Sequence, residues 1–217
     1  MDFYELVRGP LAWFAFLVFL FGCLGRICLL WIIGKKERLL YPYRSFKDGF
    51  RSILHGLIPF GATYMRERPL FTIITFSFHL CVLIVPVFLL AHTILWYESW
   101  GILWWNLPDT LADIMTILVI LSCIYFFSRR LIVPEVKRVS NKYDILFLLM
   151  VLLPFLTGFL AYHQWGPYRP MLILHILSGE ILLISIPFSR LIHMILFPFT
   201  RAYMGAEFGK ALSSGDW

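Results

Sequence analysis

Residues 70–96 read LFTIITFSFHLCVLIVPVFLLAHTILW, and residues 171–197 read MLILHILSGEILLISIPFSRLIHMILF. The first stretch contains no Asp, Glu, Lys or Arg, and the second contains only Glu180 and Arg190. Each exceeds the roughly 20 apolar residues that carry a helix through the hydrocarbon core of a bilayer. Neither shows the alternating segments of about ten residues that mark a membrane β-barrel strand. Both therefore predict transmembrane helices. Three more apolar runs fit the same reading, at about 10–34, 109–128 and 144–163. The expected fold is an all-α membrane protein: one integral domain over residues 1–217 with five transmembrane helices.

Composition agrees. Of 217 residues, 60% are hydrophobic and 15% charged, and the mean hydropathy is +0.79. A soluble domain is nearer half apolar and a quarter charged, so a cytosolic enzyme and a disordered chain are both excluded. The first apolar run lacks a small-residue cleavage site and reads as a retained span rather than a signal peptide. The four cysteines, Cys23, Cys28, Cys81 and Cys123, all lie in apolar runs without a CxxC or CxxCH. They read as small core residues, with no zinc, iron–sulfur or c-type haem attachment motif.

The net charge of +6 comes from the loops. Lys35, Lys36, Arg38, Arg44, Lys47, Arg51, Arg66 and Arg68 follow the first span. Arg129, Arg130, Lys137, Arg138 and Lys142 follow the third, and Arg201 and Lys210 follow the fifth. The other side has Arg8 and Arg169. Basic loops stay in the cytoplasm, so the N-terminus is expected outside and the C-terminus cytoplasmic, in a bacterial inner membrane. Membrane topology then explains the charge without nucleic acid. Trp100, Trp104 and Trp105, between the second and third spans, suit an outer aromatic belt. The segment at about 35–69 repeats Phe46, Phe50, Ile53, Leu54 and Leu57 at near-helical spacing among Lys47, Arg51 and His55. It predicts an amphipathic cytoplasmic helix that docks a partner or lies on membrane lipid.

Of the six histidines, four fall inside two spans: His79 and His92 in the second, His175 and His193 in the fifth. Such residues are costly in a membrane and point to function. At about 1.5 Å per residue, His79 lies ~13 Å from the inner start of its span, and His193 ~12 Å from Arg201. His92 and His175 each lie about 7 Å from the outer ends. They sort into two level pairs, His79/His193 and His92/His175, as two stacked bis-histidine haems require. His175 and His193, 18 residues apart, share a face on a continuous helix. His79 and His92 fall roughly 140° out of register on an ideal helix, so a kink at Pro86 is expected. His163, at the outer end of the fourth span, is the alternative outer ligand. Di-iron HxxxH boxes and HExxH are absent.

Arg190 and Arg26 are candidate cofactor-binding residues, pairing with haem propionates or snorkelling to the interface. Glu180 is either a structural hydrogen-bonding group or a proton acceptor for a quinone. Gly158 and Gly179 suit close approach of a haem or helix. No residue is assigned a catalytic role.

The stretch from His175 to Pro198, with FSRLIH at 188–193 and a histidine 18 residues before His193, resembles the last membrane helix of the respiratory nitrate reductase gamma subunit family. Arg129-Arg130-Leu131, Pro134 and Asp144-Ile145-Leu146 resemble that family's third loop and fourth helix. The chain looks more similar still to the gamma-like cytochromes b of transmembrane redox complexes in sulfate-reducing bacteria. The resemblance implies a b-type cytochrome subunit carrying electrons through two haem b groups, with His79/His193 on the cytoplasmic side and His92/His175 outside. It also implies a respiratory oxidoreductase complex with other membrane subunits and an iron–sulfur cytoplasmic subunit. The outer donor would be a periplasmic multihaem cytochrome c or a quinol, with menaquinone as a candidate. The competing expectation is a small transporter or assembly anchor without haem, which interrupted helices and inverted repeats would favour.

Overall fold

The computed structural model describes residues 2–36 and 46–208. The expectations resting on Arg38, Arg44 and Lys210 lie outside the described residues. In chain order the helices are α1 (Phe3–Leu6), α2 (Ala12–Lys36), α3 (Phe46–Leu57), α4 (Thr63–Glu67), α5 (Pro69–Phe88) and α6 (Leu90–Trp100). Then come α7 (Asp109–Ile132), α8 (Pro134–Val139), α9 (Lys142–Tyr162), α10 (Tyr168–Ser185) and α11 (His193–Phe208). A wide turn at Val7–Leu11, containing Pro10, joins α1 to α2. Two 3₁₀ turns, Ile186–Phe188 and Arg190–Ile192, join α10 to α11. No strand occurs among the described residues.

Among the described residues, five segments are long and apolar enough to cross a membrane: Phe3–Lys35, Pro69–Phe88, Asp109–Ile132, Lys142–Tyr162 and Tyr168–Phe188. The spans read from the sequence therefore all exist, with two differences. The second ends at Leu89, whose extended backbone (ψ 132°) separates α5 from α6. The fifth ends in the 3₁₀ turns, so His193 opens a new helix instead of continuing α10. Pro187 lacks an N–H to extend the ladder, and Ser189 is extended (φ −128°, ψ −177°). Its Oγ then accepts the Leu191 N–H at 3.2 Å and starts the next turn. The equal facing of His175 and His193, expected from one unbroken helix, has no basis across this break.

The described residues fall into two compact units. One comprises residues 1–9 and 74–182, the other residues 10–73 and 183–217. In the first, α7 packs on α9. The packed face of α7 presents Ala112, Met115, Thr116, Val119, Ser122 and Cys123, whereas Leu111, Ile114, Ile117, Leu118, Leu121 and Ile124 are exposed. Small and weakly polar residues inside, with large aliphatic ones outside, are what a helix surrounded by lipid presents. Asn141 starts α9 with a reciprocal cap: its side chain accepts from Tyr143 and Asp144 N–H, and Asp144 accepts the Asn141 N–H at 2.9 Å. Gly101 ends α6 in the left-handed conformation (φ 68°) that favours glycine.

Ion pairs join Arg8 to Glu98 and Asp2 to Arg169. They gather the N-terminal segment, the end of α6 and the start of α10 at one end of this unit. Those are the three places expected on the outer side. Arg129, Arg130, Lys137, Arg138 and Lys142 belong to the α7–α8–α9 connection.

In the second unit α2 packs on the Ile186–Phe188 turn. A Cβ at Gly22 would stand 2.6 Å from Pro187 Cβ, so only glycine allows this approach. The Arg26 Nε donates to the Pro187 carbonyl at 3.0 Å. Along α3, Gly49, Ser52 and Gly56 are set against α11. A Cβ at Gly49 would lie 2.8 Å from the Ala202 carbonyl oxygen, and one at Gly56 2.7 Å from Phe197. Gly205 reciprocates against Ser52.

Candidate functional site: four histidines on backbone carbonyls

The break at Leu89 frees carbonyls that a continuous helix would have used. In an apolar surrounding each must find another donor or cost several kcal/mol. The Pro86 carbonyl accepts from His92 Nδ1 at 2.8 Å. The Val87 carbonyl accepts from Trp104 Nε1 at 2.9 Å, and the Phe88 carbonyl from Leu107 N–H at 2.8 Å. Three orphan acceptors thus receive three donors, and His92 is one of them. The interruption also replaces the expected mismatch between His79 and His92, because they no longer ride on one helix. Pro86 was the sequence signal, although the break falls three residues after it.

His175, on α10, sits against α9. Its Nδ1 is 2.8 Å from the Pro154 carbonyl oxygen. A Cβ at Gly158 would lie 2.8 Å from the same Nδ1 and 2.9 Å from Cε1, so the ring occupies the notch glycine leaves. Thr157 turns its hydroxyl back to the Leu153 carbonyl at 2.6 Å, and Ser178 donates to the His175 carbonyl at 2.9 Å. The expected close approach at Gly158 therefore exists, with His175 as the neighbour. A Cβ at Gly179 would meet no described protein atom within 4 Å.

These two supports bring His92 and His175 together. Their ring centroids are 5.9 Å apart and their planes 10° from parallel. His163 is engaged otherwise: its Nε2 is 3.2 Å from Asp113 Oδ1, and its ring packs on Phe159 at 4.3 Å.

His79 and His193 belong to different units. The His79 Nδ1 lies 2.7 Å from the Thr75 carbonyl oxygen, one turn back on α5. Phe78 packs edge-on to its ring at 5.2 Å. The His193 Nδ1 lies 2.8 Å from the Arg190 carbonyl oxygen, in the second 3₁₀ turn.

One rule covers all four residues. A carbonyl oxygen only accepts, so each Nδ1 carries the proton. In the neutral imidazole the lone pair then resides on Nε2. Metal-ligating histidines are characteristically set this way, with the second nitrogen donating to a carbonyl. Sequence reading found the four histidines but not their acceptors. The available signals were Pro86 and Pro154, which mark disturbed ladders, and the Thr75–His79 spacing.

Other candidate residues separate. Arg26 donates to the Pro187 carbonyl, so its Nε caps a broken helix. Arg190 supplies the carbonyl that holds His193. Glu180 is only 5% exposed, and neither carboxyl oxygen has a hydrogen-bond partner among the described residues. The structural hydrogen bond expected for it is not formed among the described residues. No group of three or more His, Cys, Asp or Glu side chains gathers as a metal site among the described residues, whereas haem takes axial ligands in ones and twos.

Five helical segments among the described residues, each long and apolar enough to cross a membrane, define a multi-pass α-helical membrane protein. The chain is 34% identical over 212 residues to a protein of Nitratidesulfovibrio vulgaris, covering 94% of this chain and 93% of that relative. It belongs to the family of that protein, whose description reads simply "Protein". No family model matches the chain, and no solved structure matches it.

Proposed function

We propose that the protein is a b-type cytochrome subunit of a respiratory membrane complex, as the resemblance to nitrate reductase gamma-like cytochromes implies. The observation that carries this reading is the shared state of His79, His92, His175 and His193, each with Nδ1 on a backbone carbonyl. The proximity of His92 and His175 and the notch at Gly158 support it further. His92 and His175 would hold one haem b, and His79 and His193 the other. Bound haem supplies reversible one-electron exchange at its iron. The chain's own residues fix the imidazole tautomers and keep the ring of His175 in place. Arg190 and Arg26 stand in the proposal as residues near the propionates, Arg26 through the guanidinium nitrogens its Nε bond leaves over.

In this reading the end tied by Asp2–Arg169 and Arg8–Glu98 is the outer one, and the basic loops face the cytoplasm of a bacterial inner membrane. Electrons pass between a quinol or periplasmic multihaem cytochrome c outside and an iron–sulfur subunit inside. Menaquinone is the candidate quinone, and other membrane subunits complete the complex.

One observation favours the competing reading of a transporter: two helices are interrupted, at Leu89 and at residues 186–192, as in transporters that bind ions on unwound carbonyls. At Leu89 those carbonyls are already taken by His92, Trp104 and Leu107. That leaves little for an ion and favours the cytochrome.

A reduced-minus-oxidised visible spectrum of the purified protein tests the proposal. Strong b-type bands and two haems per chain are expected, all extractable by acid–acetone because no CxxCH is present. A haem-free protein, or haem retained on the polypeptide after extraction, overturns it.

A further inference from the structure

The helix α3 presents three distinct faces. Gly49, Ser52 and Gly56 are committed to α11. Phe46, Phe50, Leu54 and Leu57, at spacings of four, four and three, form an apolar stripe on another face. All four are exposed: 88%, 55%, 40% and 57%. Lys47 and Arg51 are exposed along one edge of this stripe. The packing on α11 fixes which face points outward, so α3 cannot roll over to hide its phenylalanines.

The stripe continues into the following turn. Ile58 and Phe60 are exposed there as well. Phe60 adopts φ 64°, a conformation rare for a residue with a side chain. Arg66 holds this turn by donating to the Phe60 carbonyl at 2.9 Å and the Gly61 carbonyl at 3.2 Å.

We infer that α3 is a lipid-surface anchor, its Phe46–Leu57 stripe sunk into the headgroup boundary of an anionic leaflet with Lys47 and Arg51 at the level of the phosphates. Two observations select lipid as the occupant. The apolar stripe is bordered by cations, the pattern that pairs acyl chains with anionic headgroups. The helix also lies between two membrane-crossing segments: nine residues separate it from Lys36 and eleven from Pro69. At no more than about 3.5 Å per residue, neither connection lets α3 move farther than roughly 40 Å from a membrane boundary. The inference stands independently of haem.

The test uses the full-length protein in lipid nanodiscs of phosphatidylcholine with or without phosphatidylglycerol, labelled with a membrane-impermeant maleimide. Phe50→Cys and Leu54→Cys report the stripe, Glu67→Cys on α4 is the exposed reference, and the parent protein with its native cysteines is the blank. In discs containing phosphatidylglycerol, both stripe cysteines should react about tenfold more slowly than Glu67→Cys. Adding Lys47→Gln and Arg51→Gln should speed their labelling by about fivefold per charge removed. Stripe cysteines that react as fast as Glu67→Cys overturn the inference. Equal protection in both lipids, untouched by the charge changes, overturns the anionic preference. Protection that appears only when a soluble cell fraction is added assigns the stripe to a protein partner instead and also overturns it.

Discussion

The His175 imidazole fills the space where a side chain at Gly158 would begin, 2.8 Å from an ideal Cβ to Nδ1. The same nitrogen is 2.8 Å from the Pro154 carbonyl oxygen. A methyl group at position 158 and the His175 ring cannot both keep their places.

Gly158→Ala should therefore push His175 off the Pro154 carbonyl. Overpacking of this kind costs about 1–3 kcal/mol. The expected outcome is a lower thermal midpoint in detergent and loss or a shifted spectrum of one haem, the other unchanged. Gly179→Ala, where a Cβ meets nothing, is the control and should leave both haems intact. A Gly158→Ala protein with a normal spectrum would detach the notch from haem binding.

His92 and His163 compete for the role of second outer ligand. His92 stands beside His175 with Nδ1 on a carbonyl, and His163 has its Nε2 on Asp113. His92→Ala should abolish the outer haem and His163→Ala should leave both haem signals in place, read by haem content per chain. Loss of the outer haem only in His163→Ala would transfer the ligand to α9.

His79→Ala and His193→Ala should each lower haem content from two to one per chain. The double variant should also retain one. This follows from their matched depths in the sequence, ~13 and ~12 Å from the inner side. A double variant that loses both haems, with each single variant losing a different one, would break the pairing.

Arg26→Leu removes the donor to the Pro187 carbonyl and leaves that acceptor without it. An unsatisfied buried carbonyl costs about 1–3 kcal/mol, so the thermal midpoint should fall. Arg26→Lys keeps the charge but not the geometry of the bond. If both variants lose stability with unchanged haem potentials, Arg26 is a cap alone. A potential that shifts in Arg26→Leu and recovers in Arg26→Lys places its charge near a propionate.

The spans were legible because lipid demands length and hydropathy, both of which a sequence displays directly. The breaks were half legible. Pro86 and Pro187 could be seen, but a proline states only which N–H is missing, not where the helix restarts. Leu89 and Ser189 are decided by donors that come from elsewhere in the chain, Trp104 and Leu107 in the first case. The four histidines stood out as residues that lipid does not tolerate cheaply. Their carbonyl acceptors did not, since Pro154 and His175 meet only through packing of two helices. Glu180 was expected to find a partner by the general habit of buried polar groups, and the described residues around it supply none.

The ion pairs at one end of the first unit also constrain the order of assembly. Arg8 is translated 90 residues before Glu98, and Asp2 waits longer still for Arg169. Until the fifth span has been delivered to the membrane, the N-terminal segment lacks its final clasp. Such distant pairing slows closure. A chain truncated after α9 would carry four of the five spans and leave Asp2 without Arg169.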